Sequence, residues 1–263
     1  EGLKADDGWL TVAGLFFLKN GENSFGADPL NDIVLPAGSA PAQLGVFEFD
    51  RDTITVRAAP GRSVTVNGRA VREAVLRPSR PQGPADRLTS GTLTMFMHRS
   101  GERYAIRLRD QESRIRREFA GLRWFPVDEK YRVTAEFSPY AEPRQLLVPN
   151  ILGDAETHTS PGSVVFTLDG QQFRMVPAWQ GRELFFIFRD LTTGQETYPA
   201  ARFLYAEAPT DGKVVLDFNK AYNPPCAFNP YTTCPLPPPE NRLRVRIEAG
   251  ELDYQGPAEA LHR

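Results

Sequence analysis

Ser163-Val164-Val165-Phe166-Thr167-Leu168-Asp169-Gly170-Gln171-Gln172-Phe173-Arg174-Met175-Val176 is the stretch on which the fold turns. Residues 163–168 and 172–176 are rich in the β-branched and aromatic side chains that suit a pleated surface. Asp169-Gly170 between them supplies the left-handed backbone that a two-residue hairpin needs. Strands joined so tightly pair antiparallel.

The same grammar extends in both directions. Toward the C-terminus, 183–188, 201–205, 213–218 and 243–248 read as strands, with Pro209-Thr210-Asp211-Gly212 as a turn between two of them. Upstream lie strands at 131–137 and 145–148. Further back, 44–49, 53–58, 63–66, 92–97 and 103–108 alternate apolar and polar residues, the period of a half-buried strand. Gly61, Asn67-Gly68 and Ser100-Gly101 mark turns, Asn67-Gly68 as a tight hairpin. The apolar run 9–18, broken by Thr11 and Gly14, reads as a buried strand or turn. Residues 78–84 read as an exposed loop. No segment sustains a 3.6-residue period; the charge-rich residues 110–123 read as a helical or irregular connector. The expectation is an all-β chain: a β-sandwich over 1–120, then a second antiparallel barrel or sandwich over 121–263.

Bulk properties narrow the function. At 263 residues and a net charge of −2, nothing calls for nucleic acid as a partner. No apolar run is long enough for a membrane span. The chain starts at Glu1 rather than Met, as a trimmed or processed chain would, so the compartment, cytoplasmic or periplasmic, stays open for an otherwise soluble chain. A nucleophile elbow, His-Glu-x-x-His, a Walker loop and a dinucleotide fingerprint are all absent, and no cofactor is expected.

Residues 217–242 are the candidate seat of a site, because their prolines rule out regular structure while two tyrosines, several asparagines, Arg242 and both cysteines crowd into them. Cys226 and Cys234 have three readings: a disulfide closing a small loop, two thiols, or half a metal site with His158. No metal site is assigned, since their spacing is not that of a zinc knuckle. Cys226 would be a nucleophile only as a thiol with a lowered pKa.

Asp217 and Asn219 share a strand face beside Tyr222 and Asn223, a set suited to hydroxyl recognition or general-base work; the alternative is that they satisfy the loop's own backbone. His158, in the polar residues 153–162 read as a loop, is the one histidine placed for catalysis and the expected partner of Asp217. His98 reads as a surface or edge residue and His262 as part of a tail. Arg189, at the end of an apolar strand, and Arg202 are candidate anion clamps. Arg202 and Tyr205 fall on opposite faces of one strand, so one of them at most faces a shared site.

Two resemblances add to this. Phe25-Gly26-Ala27-Asp28-Pro29-Leu30-Asn31-Asp32-Ile33-Val34-Leu35 and Val64-Thr65-Val66-Asn67-Gly68-Arg69 resemble a forkhead-associated domain over roughly residues 20–110. Ala27 replaces that family's arginine, and 38–45 lack its Ser-x-x-His element. The resemblance therefore implies the fold and argues against phosphothreonine-peptide binding. The chain also resembles the bacterial domain of unknown function 1684, in Asp7-Gly8-Trp9-Leu10-Thr11-Val12-Ala13-Gly14-Leu15-Phe16, Phe186-Ile187-Phe188-Arg189-Asp190, Arg202-Phe203-Leu204-Tyr205 and residues 217–237. That resemblance implies no reaction.

The leading expectation is a pocket in the C-terminal domain for a small carboxylate- or sugar-like molecule, with Asp217 and His158 as an acid/base pair for hydrolytic or related turnover. The rival is a non-catalytic protein- or peptide-binding module.

Overall fold

The computed structural model describes residues 2–79 and 83–256. His262 and the Arg80 and Gln82 positions of the expected 78–84 loop lie outside the described residues. The chain divides into two compact units. One runs through Phe119 and takes in Asn229–Thr232; the other comprises Ala120–Phe228 and Thr233–Gly256.

Among the described residues, the first unit holds eleven strands: β1 (Val12–Phe17), β2 (Gly21–Gly26), β3 (Ile33–Val34), β4 (Gly45–Asp50), β5 (Thr53–Ala58), β6 (Val64–Val66), β7 (Arg69–Val71), β8 (Glu73–Leu76), β9 (Leu88–Ser90), β10 (Leu93–Ser100) and β11 (Arg103–Asp110). They form a six-stranded sheet, β1-β11-β10-β9-β6-β7, and a five-stranded sheet, β3-β2-β4-β5-β8. One core joins the two. Phe25, Phe47 and Ile54 from the smaller sheet pack with Met95, Ile106 and Leu108 from the larger. Asn67 and Gly68 both take positive φ, 49° and 80°, and close the expected two-residue hairpin between β6 and β7. A single helical turn, α1 (Arg114–Glu118), follows, capped by Ser113, whose hydroxyl accepts from the Arg116 N–H.

The second unit holds β12 (Arg132–Pro149), β13 (Ala155–Leu168), β14 (Gln171–Met175), β15 (Ala178–Gln180), β16 (Glu183–Phe188), β17 (Arg202–Ala206) and β18 (Lys213–Asp217). Two antiparallel sheets, β14-β13-β12-β18 and β15-β16-β17, share a core of Phe166, Phe186, Phe188, Leu204, Leu216 and Phe218. Neither sheet closes into a barrel among the described residues, so of the two forms expected for this unit the open sheets take the place of the barrel. Asp169 and Gly170 make the expected turn between β13 and β14, both at positive φ.

β16 is apolar on both parities because both of its faces are covered. Leu184, Phe186 and Phe188 enter the main core, while Phe185 and Ile187 join a second cluster with Val148, Ala201 and Phe203.

Two expectations change. Most of residues 153–162 are strand rather than loop. β12 and β13 form one long hairpin, in which a register shift between Pro139 and Arg144 accommodates prolines that a regular ladder would reject. Conversely, 243–248 is no strand, although Leu243 and Ile247 are buried as its alternation implies. Its backbone is served partly by residues 189–191, where Leu243 N–H donates to Arg189 O (2.8 Å) and Leu191 N–H to Val245 O (2.9 Å), and partly by side chains. Asp190 accepts from the Ile247 N–H at 2.7 Å, and Arg202 donates to the carbonyls of Ile247 (2.9 Å) and Ala249.

Candidate functional site

Residues 217–242 are ordered around their own backbone needs. Phe218, Ala221 and Phe228 are buried, with Phe218 against Phe166 and Phe188 at ring-centroid distances of 5.5 Å. Asn241 behaves as a spare peptide group: its Oδ1 accepts from Val176 N–H at 2.7 Å, and its Nδ2 donates to the carbonyls of Val176 and Ile187. Asn223 donates from Nδ2 to Leu252 O, and its backbone N–H donates to Glu251. Asn219 pairs with both backbone groups of Asp128. Asn219 and Asn223 thus serve the protein's own main chain, the alternative left open from the sequence.

Cys226 and Cys234 are not bridged; the Cys226 N–H donates to Cys234 Sγ at 3.1 Å. The hydrogen bond to Cys234, and then burial, push the Cys226 thiol up, away from the thiolate a nucleophile requires. Among the described residues, no three His, Cys, Asp or Glu side chains gather as metal ligands.

Arg202 faces inward and is no clamp for an external anion. Its guanidinium is 1% exposed, lies 3.3 Å from Asp190 Oδ1 and sits over the Phe188 ring. Asp190 is held in turn by the hydroxyls of Thr192 and Thr193. Arg189 and Arg242 lie side by side where 189–191 meets 241–245, both exposed.

His158 stands in β13 opposite Leu146, whereas Asp217 in β18 pairs with Arg132, at the other end of β12. The structure does not bring the expected catalytic pair together. Nor does His158 have an orienting carboxylate at hydrogen-bond distance: Glu156 is 4.0 Å away and Nε2 makes no hydrogen bond.

Three nominated residues do converge. Tyr205, Asp217 and Tyr222 line a cleft of about 570 Å³ formed by the outward faces of β12, β16, β17 and β18. Tyr222 is held beside β17 by two backbone hydrogen bonds to Phe203 (3.0 and 2.9 Å). Its ring lies nearly parallel to that of Tyr205, at 6.2 Å and 9°. Both phenols are pushed up chiefly by burial, so both remain donors at neutral pH. Asp217 uses Oδ1 to cap the turn Phe218–Lys220, accepting from the backbone N–H and Nδ2 of Asn219.

Six charged side chains share the lining: Arg132, Lys213 and Lys220 against Glu183, Glu207 and Asp217. None forms an ion pair with another group among the described residues. Five of the six escaped the sequence reading. For Lys213 the signal was the parity of β18, which puts Lys213, Val215 and Asp217 on one face.

Comparison with known proteins gives a family and no reaction. The profile of a family described as "Protein of unknown function (DUF1684)" matches residues 117–252. That match contains the strings at 186–190, 202–205 and 217–237 and leaves 7–16 outside. A solution NMR structure of an uncharacterized protein of Haloarcula marismortui is 34% identical over 51% of this chain and 77% of its own, with a TM-score of 0.44. No curated protein matches. None of these carries the forkhead-associated resemblance. Among the described residues, no helix is long and apolar enough to cross a membrane.

Proposed function

The chain belongs to the family of proteins of unknown function DUF1684, and from that premise we propose that its second unit binds a small hydroxylated carboxylate, such as a sugar acid, in the Tyr205–Asp217–Tyr222 cleft. One observation carries the reading: six charged side chains, three of each sign, face one cleft beside a tyrosine pair without being paired off. Charges left unpaired in a concavity are available to a ligand, where directed hydrogen bonds discriminate well. Arg132, Lys213 and Lys220 would take the carboxylate. Glu183, Glu207 and the Oδ2 of Asp217 would accept from hydroxyls, and the Tyr205 ring, 38% exposed, offers a face to the apolar side of a sugar ring. The reading is one of recognition. Asp217 is occupied in capping its turn and His158 lies elsewhere, so no acid/base pair supports turnover.

The test is thermal melting of the protein against glucuronate, galacturonate and gluconate, with neutral hexoses and acetate as controls. A saturable rise in melting temperature with the sugar acids, lost in Lys220→Ala without a change in the unliganded melting point, is the expected result. No rise with any sugar acid, together with a stoichiometric protein partner in a pull-down, would replace the proposal with a protein-binding module.

A further inference from the structure

The first unit has a cavity of about 590 Å³ on the outer face of its six-stranded sheet. β10 sends Leu93, Met95 and Met97 into the core, so Phe96 and His98 face the other way, toward this cavity. Three arginines, Arg87, Arg99 and Arg109, line it with His98, and no described lining residue is acidic.

The acids nearby are engaged elsewhere or set back. Asp86, next to Arg87, is gripped by Arg77 through Nε (3.0 Å) and Nη2 (3.1 Å) and by Asn67 Nδ2 at 2.7 Å. Glu102 pairs with Arg99 at the surface. Asp7 acts on Arg109 by Coulomb attraction from outside the lining and forms no ion pair with it.

The guanidiniums differ in how firmly they are held. Arg109 is fixed: Nη1 donates to Gly8 O (2.8 Å) and Thr11 Oγ1 (3.1 Å), and the group lies within 6 Å of the Trp9 and Phe96 ring centroids, at 5.9 and 5.8 Å. Arg87 has its backbone N–H bound to Asn67 Oδ1, but its guanidinium makes no hydrogen bond or ion pair among the described residues. It stands close enough to Arg109 to disfavour the charge there. His98 is neutral: burial, and secondly Arg107, push it down to about 4, and its Nε2 accepts from Arg107 Nη2 at 3.1 Å. Like charges facing one cavity without an acid in its described lining cost energy that an anion would offset.

We propose that this cavity is an oxyanion site, in which Arg87 and Arg109 hold the phosphate or carboxylate head of a small molecule while Phe96 and the prolines Pro78 and Pro84 cover its planar apolar body. Ala27 and residues 38–45 are not part of its lining; of the residues that carry the forkhead-associated resemblance, Asn67 supports the site from behind, through the Arg87 backbone and Asp86.

The experiment titrates phenyl phosphate, benzoate and inorganic phosphate into the full chain, following heat of binding and the His98 imidazole resonances, assigned with His98→Asn. Phenyl phosphate or benzoate should bind saturably, move the His98 signals, and bind about tenfold or more weakly to Arg87→Gln, the loss expected for one charge-assisted contact. Arg87→Gln should melt at the wild-type temperature, since only the backbone of Arg87 is engaged. Phenyl phosphate leading would mark a phosphate head, benzoate a carboxylate. The site is overturned if neither ligand binds at about 10 mM, a ceiling looser than millimolar affinity, or if Arg87→Gln binds as well as wild type. Inorganic phosphate binding as tightly as phenyl phosphate would overturn the role of the apolar walls.

Discussion

The two faces of β17 carry polar groups of similar kind to opposite ends. On the inner face, Arg202 is buried, paired with Asp190, and bonded to the carbonyls of Ile247 and Ala249. On the outer face, three residues along, Tyr205 lies half-open beside six charges that form no ion pair among the described residues. The inner set is saturated and has nothing to offer a ligand; its work is to hold down Ile247 and Ala249, in a segment that lies outside the named strands. The outer set is unsaturated. The contrast teaches that satisfaction, more than charge or residue type, separates a structural polar cluster from a candidate site.

Breaking the inner face should have the largest effect. Arg202→Met leaves Asp190 buried without its cation and the Ile247 and Ala249 carbonyls without a donor, a loss of about 3–5 kcal/mol. Urea unfolding would measure it, and Asp190→Asn combined with Arg202→Met should recover part of the loss. Additive losses in the double variant would mean that the two residues do not act as a pair.

The next effect depends on pH. Burial raises Glu251 to about 7, against attraction from Arg202 and a 2.8 Å hydrogen bond from Asn223 N–H. Between its unfolded value near 4.5 and about 7, the folded protein binds more protons than the unfolded chain, so stability falls as pH rises through that window and levels off above it. The contribution is about 3 kcal/mol, at roughly 1.4 kcal/mol per pKa unit. Glu251→Gln should lose this slope and be the more stable protein at pH 8. Parallel pH profiles for the two proteins would refute the assignment.

The smallest change in stability belongs to the outer face. Tyr205→Ala should cost only about 1 kcal/mol, because the ring is partly exposed and its contacts with Phe185 and Tyr222 are peripheral. It should nevertheless remove sugar-acid binding. A large melting loss would recast Tyr205 as part of the core.

Much of this was legible in the sequence, and the rest depended on distant partners. Asn67-Gly68 and Asp169-Gly170 announced their hairpins because a two-residue turn is a local matter. The opposite facing of Arg202 and Tyr205 followed from strand parity alone. By contrast, residues 155–162 carry turn-like composition and become strand because β12 pairs with them, a long-range effect that no local propensity records. Residues 243–248 alternate like a strand, yet side chains from Asp190 and Arg202 serve part of their backbone. The Asp217–His158 pairing failed for the same reason, since residue type could be read and position along β12 could not. Asp217 and Tyr222 were found by the composition of residues 217–242 and Tyr205 by its place opposite Arg202 in one strand, whereas Arg132 and Glu183 reach the cleft only through sheet packing.

The most direct test of the cleft is backbone and side-chain chemical-shift mapping of the full chain titrated with glucuronate. Saturable shifts at Tyr205, Asp217, Lys220 and Tyr222, with His158, Arg189 and Arg242 unmoved, are the predicted result. Shifts centred on His158 or on the Arg189–Arg242 pair, or none in the second unit, would contradict it.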